Sequence, residues 1–322
     1  MGYALAPLVL VAAFVMTLPG VVCAQETSTV PARREPAIVF KTGIDVVTLT
    51  AAVRDRKGRI VRDLKRTDFE ILDAGIARDI RDFHAGDAPI SLAVLLDISG
   101  SMAVGGNMDR ARSAVAVAMG MLNASDDEAA LFTFDARLQE VVSFTRDLDA
   151  VRRVSLEGQP WGMTSLYDAI EAAARHVAER ANRHRALLVI TDGVDTSSRL
   201  SAPAVSGIAS SIDVPVYLLT VVTPLDHPGG ELAVLAADGA MSDIGTLADL
   251  SRWTGGDMKV ASVPAHTVEA LRALFAELRY QYLITFESGT APGWHPLEVR
   301  IRNNNLTVHA RSGYMSGPAQ SN

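Results

Sequence analysis

Strongly apolar stretches alternate with amphipathic ones over residues 90–279, and this alternation limits the possible folds more than any other feature. Several apolar runs are continuous, as at residues 186–190, which indicates strands buried on both faces of a parallel sheet. Between them, apolar residues such as Ala111, Ala114 and Ala118 recur at helical spacing. We therefore predict an α/β domain with a doubly wound, mostly parallel sheet flanked by helices. The predicted strands are SLAVLLD, AALFTFD, RALLVITD, VPVYLLTVV and GDMKVASV, and the predicted helices cover residues 108–122, 166–177, 244–255 and 268–279.

Two shorter segments, residues 38–89 and 280–316, flank this domain and have a different pattern. Short runs of β-type residues alternate with turn residues, and Val47, Leu49 and Ala51 show the spacing of a strand with one buried face. Neither segment is large enough to form a full core alone. We therefore expect their strands to pair into one small β-sandwich-like module, with the α/β domain inserted between its halves.

The N-terminal residues 1–24 have no charged side chain and contain a helix-breaking Pro19-Gly20 pair shortly before Ala24. This order is typical of a secretory signal peptide cleaved after Ala24, and the alternative is an uncleaved membrane anchor. Residues 25–37 are polar and predict a linker, and residues 317–322 are assigned to a tail. The protein is therefore expected to be secreted, periplasmic or at the cell surface.

Charge and cysteine content exclude several functional classes. The formal net charge is −7, and Lys and Arg are scattered, so the basic patch of a nucleic-acid-binding protein is missing. Cys23 is the only cysteine and lies in the predicted signal peptide. Disulfides, zinc-thiolate sites and cysteine catalysis are therefore excluded from the mature chain. The sequence also lacks a G-x-S-x-G nucleophile motif and a Walker loop, which argues against an enzyme.

Oxygen-bearing side chains cluster where predicted strands end. Asp97, Ser99 and Ser101 follow the first strand at a spacing of two residues, which directs all three to one side of an extended segment. Asp192 ends a later strand, and Thr164 lies in a loop that opens a helix. The carboxyl ends of the strands meet at one edge of such a sheet, so these side chains are expected to lie together. Two carboxylates and three hydroxyls suit Mg²⁺, with Mn²⁺ or Ca²⁺ as alternatives, and disfavour zinc and copper.

Other interpretations stay open for parts of this cluster. Ser99 or Ser101 could cap the following helix, although capping does not explain Asp97. The Asp-Thr-Ser sequence at residues 195–197 could add further ligands, but a polar cap of the next helix is favoured. Trp161 could be either an exposed contact aromatic or a packing residue.

These motifs together resemble a known family. DISGSM at residues 97–102, Thr164 and TDG at residues 191–193 are similar to the metal-ion-dependent adhesion site of von Willebrand factor type A (VWFA) domains, which have a Rossmann-like fold. The resemblance spans about residues 90–279, and the flanking segments resemble secreted VWFA-related proteins of Acidobacteria and other bacteria. It implies a metal held by Asp97, Ser99, Ser101, Thr164 and Asp192.

The resemblance also implies a function. In the family, an acidic residue of a partner protein commonly completes the metal coordination. We therefore predict a secreted or envelope-associated, metal-dependent protein-binding module for adhesion or assembly, which binds a partner's Glu or Asp carboxylate and is not an enzyme. We expect no binding to nucleic acid, and contact with a membrane only through an uncleaved N-terminal anchor. The alternatives are a metal-independent structural component of the cell envelope and a metal-dependent hydrolase.

Overall fold

The strands and helices are given by a computed structural model, which describes residues 46–225 and 242–316. These residues belong to one compact unit, Gly43–Asn322. The predicted signal peptide, linker and tail lie outside the described residues, as does the start of the N-terminal β segment. The strands are, in chain order, β1 (Val46–Asp55), β2 (Phe69–Asp73), β3 (Ile76–Arg78), β4 (Ile80–Asp87), β5 (Ile90–Asp97), β6 (Glu128–Phe134), β7 (Leu138–Thr145), β8 (His184–Thr191), β9 (Val216–Val221), β10 (Met258–Ala261), β11 (Tyr280–Glu287), β12 (Gly293–Ile301), β13 (Leu306–Ala310) and β14 (Gly313–Ser316). The helices are α1 (Asn107–Met121), α2 (Leu148–Arg152), α3 (Leu166–Ala178), α4 (Ala202–Ser211), α5 (Ser242–Trp253) and α6 (Pro264–Arg279), with short 3-10 helices at Arg66–Asp68 and Gly100–Gly106.

The central sheet has the strand order β10-β9-β8-β5-β6-β7. Its neighbouring strands run parallel, except that β7 is antiparallel to β6 at one edge. The chain adds β6 on one side of β5 and later adds β8 on the other side. The strand order therefore reverses between β5 and β8, which is where ligands bind in open α/β sheets.

Helices cover both faces of this sheet and form a separate hydrophobic core on each. On one face, α1, α2 and α6 contribute Ala111, Val151 and Leu271 among others. On the other face, α3, α4 and α5 contribute residues that include Ile170 and Val205. Every residue of β5 is buried because both faces of the sheet are covered. This arrangement confirms the predicted α/β fold with a mostly parallel, helix-flanked sheet. In the described part of the chain, no helix combines the length and apolar character needed to cross a membrane.

Three elements of the α/β domain have no residue range in the sequence-based prediction, although a helix was expected after residues 195–197. β7 is an edge strand whose residues are mostly half-buried or exposed, so it lacks the continuous apolar run that marks the inner strands. α4 has the sequence APAVSGIASS, whose small residues give little apolar periodicity. α2 has five residues, which is too short for a helical pattern to be recognised.

The strands before and after the α/β domain pair with one another. One antiparallel sheet has the order β13-β1-β11-β4, and a second has the order β14-β12-β2-β3. Leu49 and Ile284 of the first sheet and Ile71 and Leu297 of the second belong to one hydrophobic cluster. The two sheets thus form a β-sandwich, and each contains strands from both ends of the described chain.

The α/β domain leaves the sandwich after β4 and returns at β11. These strands are paired neighbours, with Tyr280 opposite Asp87. Asp127, just before β6, accepts hydrogen bonds from the backbone N–H of Ile90 (2.9 Å) and from the Arg279 guanidinium (2.9 and 2.7 Å). A single buried carboxylate therefore binds the first residue of β5 and the last residue of α6.

Candidate functional site

The carboxyl ends of β5 and β8 bring together two acidic residues that are far apart in sequence. Asp97 is the last residue of β5, and Asp192 directly follows Thr191, the last residue of β8. These strands are paired neighbours, and the strand order of the sheet reverses between them. Asp97 is fully buried and Asp192 is partly buried. The two carboxylates thus lie at the position where this sheet architecture binds ligands.

The loop after β5 adds two hydroxyl groups to this position. The backbone N–H of Ser99 donates to Asp97 Oδ1 (2.9 Å), and the hydroxyls of Ser99 and Ser101 are 3.1 Å apart. A 3-10 helix follows, and α1 begins only at Asn107, with Gly106 as its N-cap residue. Ser99 is the N-cap residue of this 3-10 helix, but its side chain makes no capping hydrogen bond, and neither serine caps α1.

The end of β8 joins the same cluster through hydrogen bonds. The Thr191 hydroxyl donates to Asp97 Oδ2 (2.6 Å) and accepts from the backbone N–H of Gly193 (3.0 Å). The Ser101 side chain interacts with Asp192 and opposes the effect of burial on the pKa of this carboxylate. Asp97, Ser101 and Asp192 therefore converge, as the sequence predicted, whereas the contribution of Thr191 was not foreseen.

The loop that contains Thr164 runs beside the loop after β5. The backbone N–H of Trp161 donates to the carbonyl of Ile98 (3.0 Å), and that of Gly100 donates to the carbonyl of Gly162 (3.1 Å). Gly162 has a φ of +96°, a conformation that favours glycine. Thr164 itself is 2% exposed. These backbone contacts place Thr164 in the loop next to the Asp-x-Ser-x-Ser segment.

The polar residues after Asp192 hold the Thr164 loop in place. The backbone N–H groups of Thr196 and Ser197 both donate to the carbonyl of Thr164 (2.9 Å each), and the Thr164 N–H donates to the Thr196 hydroxyl (2.8 Å). Asp195 Oδ1 accepts from the backbone N–H of Leu166, the first residue of α3 (2.8 Å). These residues therefore cap and position the earlier helix α3, which corrects the expectation that they cap the helix that follows them.

Both carboxylates are held in an environment that disfavours negative charge. Burial, the largest cause, and the nearby Asp192 carboxylate raise the pKa of Asp97 to about 6, against the opposing hydrogen bonds of Ser99 and Thr191. Burial also raises the pKa of Asp192. Within the described residues, neither carboxylate forms an ion pair with a lysine, arginine or histidine. Two desolvated, uncompensated carboxylates beside neutral hydroxyls are a donor set that fits a hard divalent cation.

A family model matches the part of the chain that carries this site. Residues 92–194 match the family model of the von Willebrand factor type A domain. The α/β domain has a von Willebrand factor type A fold. The resemblance of the flanking segments to secreted bacterial relatives stays a prediction.

Several solved bacterial structures are similar to parts of this chain. An aerotolerance-related membrane protein from Bacteroides fragilis has 19% identity and a TM-score of 0.44, over 59% of this chain and 98% of that chain. A von Willebrand factor type A protein from Catenulispora acidiphila has 13% identity and a TM-score of 0.45, over 77% and 72%. The minor pilin PilB from Streptococcus sanguinis has 15% identity and a TM-score of 0.42, over 60% and 61%. Comparison with curated proteins finds no match.

A second group of acidic and histidine side chains lies between the type A domain and the sandwich. Ligand atoms of Asp257, Glu277 and His309 lie within 4.8 Å of one another. However, Arg54 of β1 forms ion pairs with both Asp257 (3.0 Å) and Glu277, and Lys259 lies 2.7 Å from Asp257. Because two cationic side chains neutralise the two carboxylates, this group is an ion-pair network and a poor site for a metal ion. Its members are scattered along the sequence, so no motif could have indicated it.

Proposed function

We propose that the type A domain binds Mg²⁺ through Asp97, Ser99, Ser101, Thr164 and Asp192, and uses the ion to bind an acidic side chain of a partner protein. The observation that carries this proposal is the pair of uncompensated carboxylates at the strand edge, one fully buried and one partly buried. Mn²⁺ and Ca²⁺ also prefer oxygen ligands and are the alternative ions.

The donor set explains why the partner would be acidic. Only two of the five proposed ligands carry a charge, and the three hydroxyls are neutral, so the bound ion stays electron-poor. A cation bound mainly by neutral oxygens keeps a strong attraction for an additional anionic ligand, especially in a partly desolvated site. A Glu or Asp side chain of another protein supplies such a ligand. This chemistry makes the domain a protein-binding module for adhesion or assembly.

The β-sandwich supports this function as the base on which the type A domain is mounted. The domain is inserted between β4 and β11. The two carboxylates lie where strands of its central sheet end, and the sheet positions the loops around them. A location outside the cytoplasm stays a prediction from the N-terminal residues, which are outside the described part of the chain.

Calorimetric titration of the full chain with Mg²⁺ tests the proposal. We expect binding heat for the wild type and its loss in Asp97→Ala and Asp192→Ala. Asp126→Ala is the matched control, because Asp126 is exposed and lies before β6, at the opposite end of the sheet. Absence of binding with Mg²⁺, Mn²⁺ and Ca²⁺, or unchanged binding in Asp97→Ala, would refute the proposal. Partner binding that survives EDTA would instead support the metal-independent structural alternative.

A further inference from the structure

The loops around the two carboxylates expose several large apolar side chains. Of the large apolar residues exposed in the described part of the chain, half lie on loops at this edge of the sheet. Four of them lie close in sequence to the proposed metal ligands and define an apolar rim. The exposed fractions are 62% for Val104, 82% for Trp161, 56% for Met163 and 43% for Val194.

Two residues of the apolar rim lie on the Thr164 loop. Met163 directly precedes Thr164, and the Trp161 backbone N–H donates to the carbonyl of Ile98, the residue after Asp97. The position of Trp161 is therefore fixed by a backbone contact next to the site, while its ring is left in solvent. The structure thus decides between the two interpretations of this residue, because a side chain this exposed is not a packing residue.

The other two residues of the rim lie on the two remaining loops. Val104 is in the 3-10 helix that begins directly before Ser101. Val194 follows Asp192 by two positions, and its backbone N–H donates to Asp192 Oδ1 (3.3 Å). Each of the three loops that carry proposed ligands therefore also carries an exposed large apolar side chain.

Exposed apolar side chains gathered around a polar centre are typical of a protein interface. Aromatic, methionine and aliphatic side chains in such patches bury their surface against a partner, and tryptophan is enriched among the residues that dominate binding energy. Flanking apolar contacts also exclude water, which strengthens the interaction between an ion and a carboxylate.

We infer that the apolar rim selects partner segments in which the coordinating Glu or Asp is flanked, within two residues, by large apolar or aromatic side chains. This inference rests on the proposed function, since the carboxylate is bound by the metal. The rim adds the specificity that a metal ion alone lacks, because any exposed carboxylate can approach the ion, whereas few are flanked by apolar side chains.

Selection from a random peptide library displayed on phage tests this inference. The full chain is immobilised in Mg²⁺, and bound phage are eluted with EDTA. We expect the eluted peptides to contain Asp or Glu with a large apolar residue within two positions. The same selection on the double variant Trp161→Ser, Met163→Ser should keep the acidic residue and lose the apolar preference. Eluted peptides without apolar flanks, or no EDTA-eluted peptides at all, would overturn the inference.

The affinity of one selected peptide then gives a quantitative test. We expect the double variant to bind it about tenfold more weakly or worse. Ile76→Ser is the control, because Ile76 is similarly exposed but lies in the sandwich, and its binding should be unchanged. Equal affinity of the peptide for the wild type and the double variant would contradict a role of the apolar rim in binding. Magnesium titration of both chains separates the two hypotheses: intact Mg²⁺ binding without an apolar preference refutes only the inference, whereas absent Mg²⁺ binding refutes the proposed function.

Discussion

The hydroxyl of Thr191 donates a 2.6 Å hydrogen bond to Asp97 Oδ2 between two neighbouring strands of the central sheet. The other oxygen of the same carboxylate accepts from the backbone N–H of Ser99. The Thr191 hydroxyl is itself held by the N–H of Gly193, so its proton is directed towards Asp97. Two donors from different segments thus fix the orientation of the Asp97 carboxylate, which is fully buried.

Replacing Thr191 by valine should weaken Mg²⁺ binding while the fold is retained. Valine has nearly the same shape, but it removes the hydroxyl that orients the Asp97 carboxylate. Loss of such an orienting partner typically lowers metal affinity about 10- to 100-fold. Calorimetric titration measures this change, and circular dichroism checks the fold. Thr191→Ser keeps the hydroxyl and should bind nearly as well as the wild type, so equal weakening in both variants would contradict the orienting role.

Asp127 should be essential for stability and irrelevant for the metal. Burial would raise its pKa, but hydrogen bonds from Arg279 and from the N–H groups of Asn123 and Ile90 outweigh burial and lower it. The ionised carboxylate therefore stabilises the folded state at pH values above its ordinary pKa. This contribution to the free energy of unfolding is lost as the pH falls through the lowered pKa. Asp127→Asn leaves Arg279 partly unpaired and should lower the free energy of unfolding by about 3 kcal/mol.

Urea unfolding measures this loss, and Mg²⁺ titration of the same variant should be unchanged. Asp126→Asn is the matched control, because this neighbouring carboxylate is exposed and has no ion pair in the described residues. A similar loss of stability in both variants would argue against a special role for Asp127.

His184 should make the protein less stable in mild acid. Burial, the largest cause, and the nearby Arg279 charge lower the pKa of His184 to about 4. The unfolded chain has a histidine pKa near 6.5 and therefore binds more protons than the folded chain between about pH 6.5 and pH 4. This difference should lower the free energy of unfolding by about 2 kcal/mol between about pH 7 and pH 5.

Comparison with His184→Gln isolates this contribution from those of other groups. Urea unfolding of both chains at about pH 7, 6 and 5 should show a smaller loss in the variant. Parallel losses in the two chains would show that the folded-state pKa of His184 is not lowered.

Arg54 should stabilise the contact between the sandwich and the type A domain. It pairs with Glu277, which is fully buried, and with Asp257, which also has Lys259 as a partner. Arg54→Met leaves the Glu277 charge buried without its cation and should cost about 3 kcal/mol in urea unfolding. The double variant Arg54→Met, Glu277→Gln removes both charges and should regain most of this loss. No recovery in the double variant would show that the ion pair is not the source of the effect.

Continuous apolar runs made the inner strands of the central sheet predictable, because a strand buried on both faces consists almost entirely of apolar residues. Asp97, Ser101 and Asp192 were predictable as neighbours because the carboxyl ends of parallel strands share an edge. Contacts through space were not predictable in the same way. The bond from Thr191 to Asp97, the capping of α3 by Asp195 and the pairing of Arg54 with Glu277 all depend on the folded geometry, and none has a characteristic spacing in the sequence.

The insertion of the type A domain between β4 and β11 has a mechanical consequence. These strands are hydrogen-bonded neighbours whose adjoining ends, at Asp87 and Tyr280, both lead into the domain. Tension applied at the strand edge around Asp97 would therefore reach the sandwich through two covalent connections side by side. Both strands would be pulled in the same direction. The force is then divided between them, and the hydrogen bonds between β4 and β11 are not broken one after another. The proposed partner binding at this edge of the sheet would therefore load both connections together.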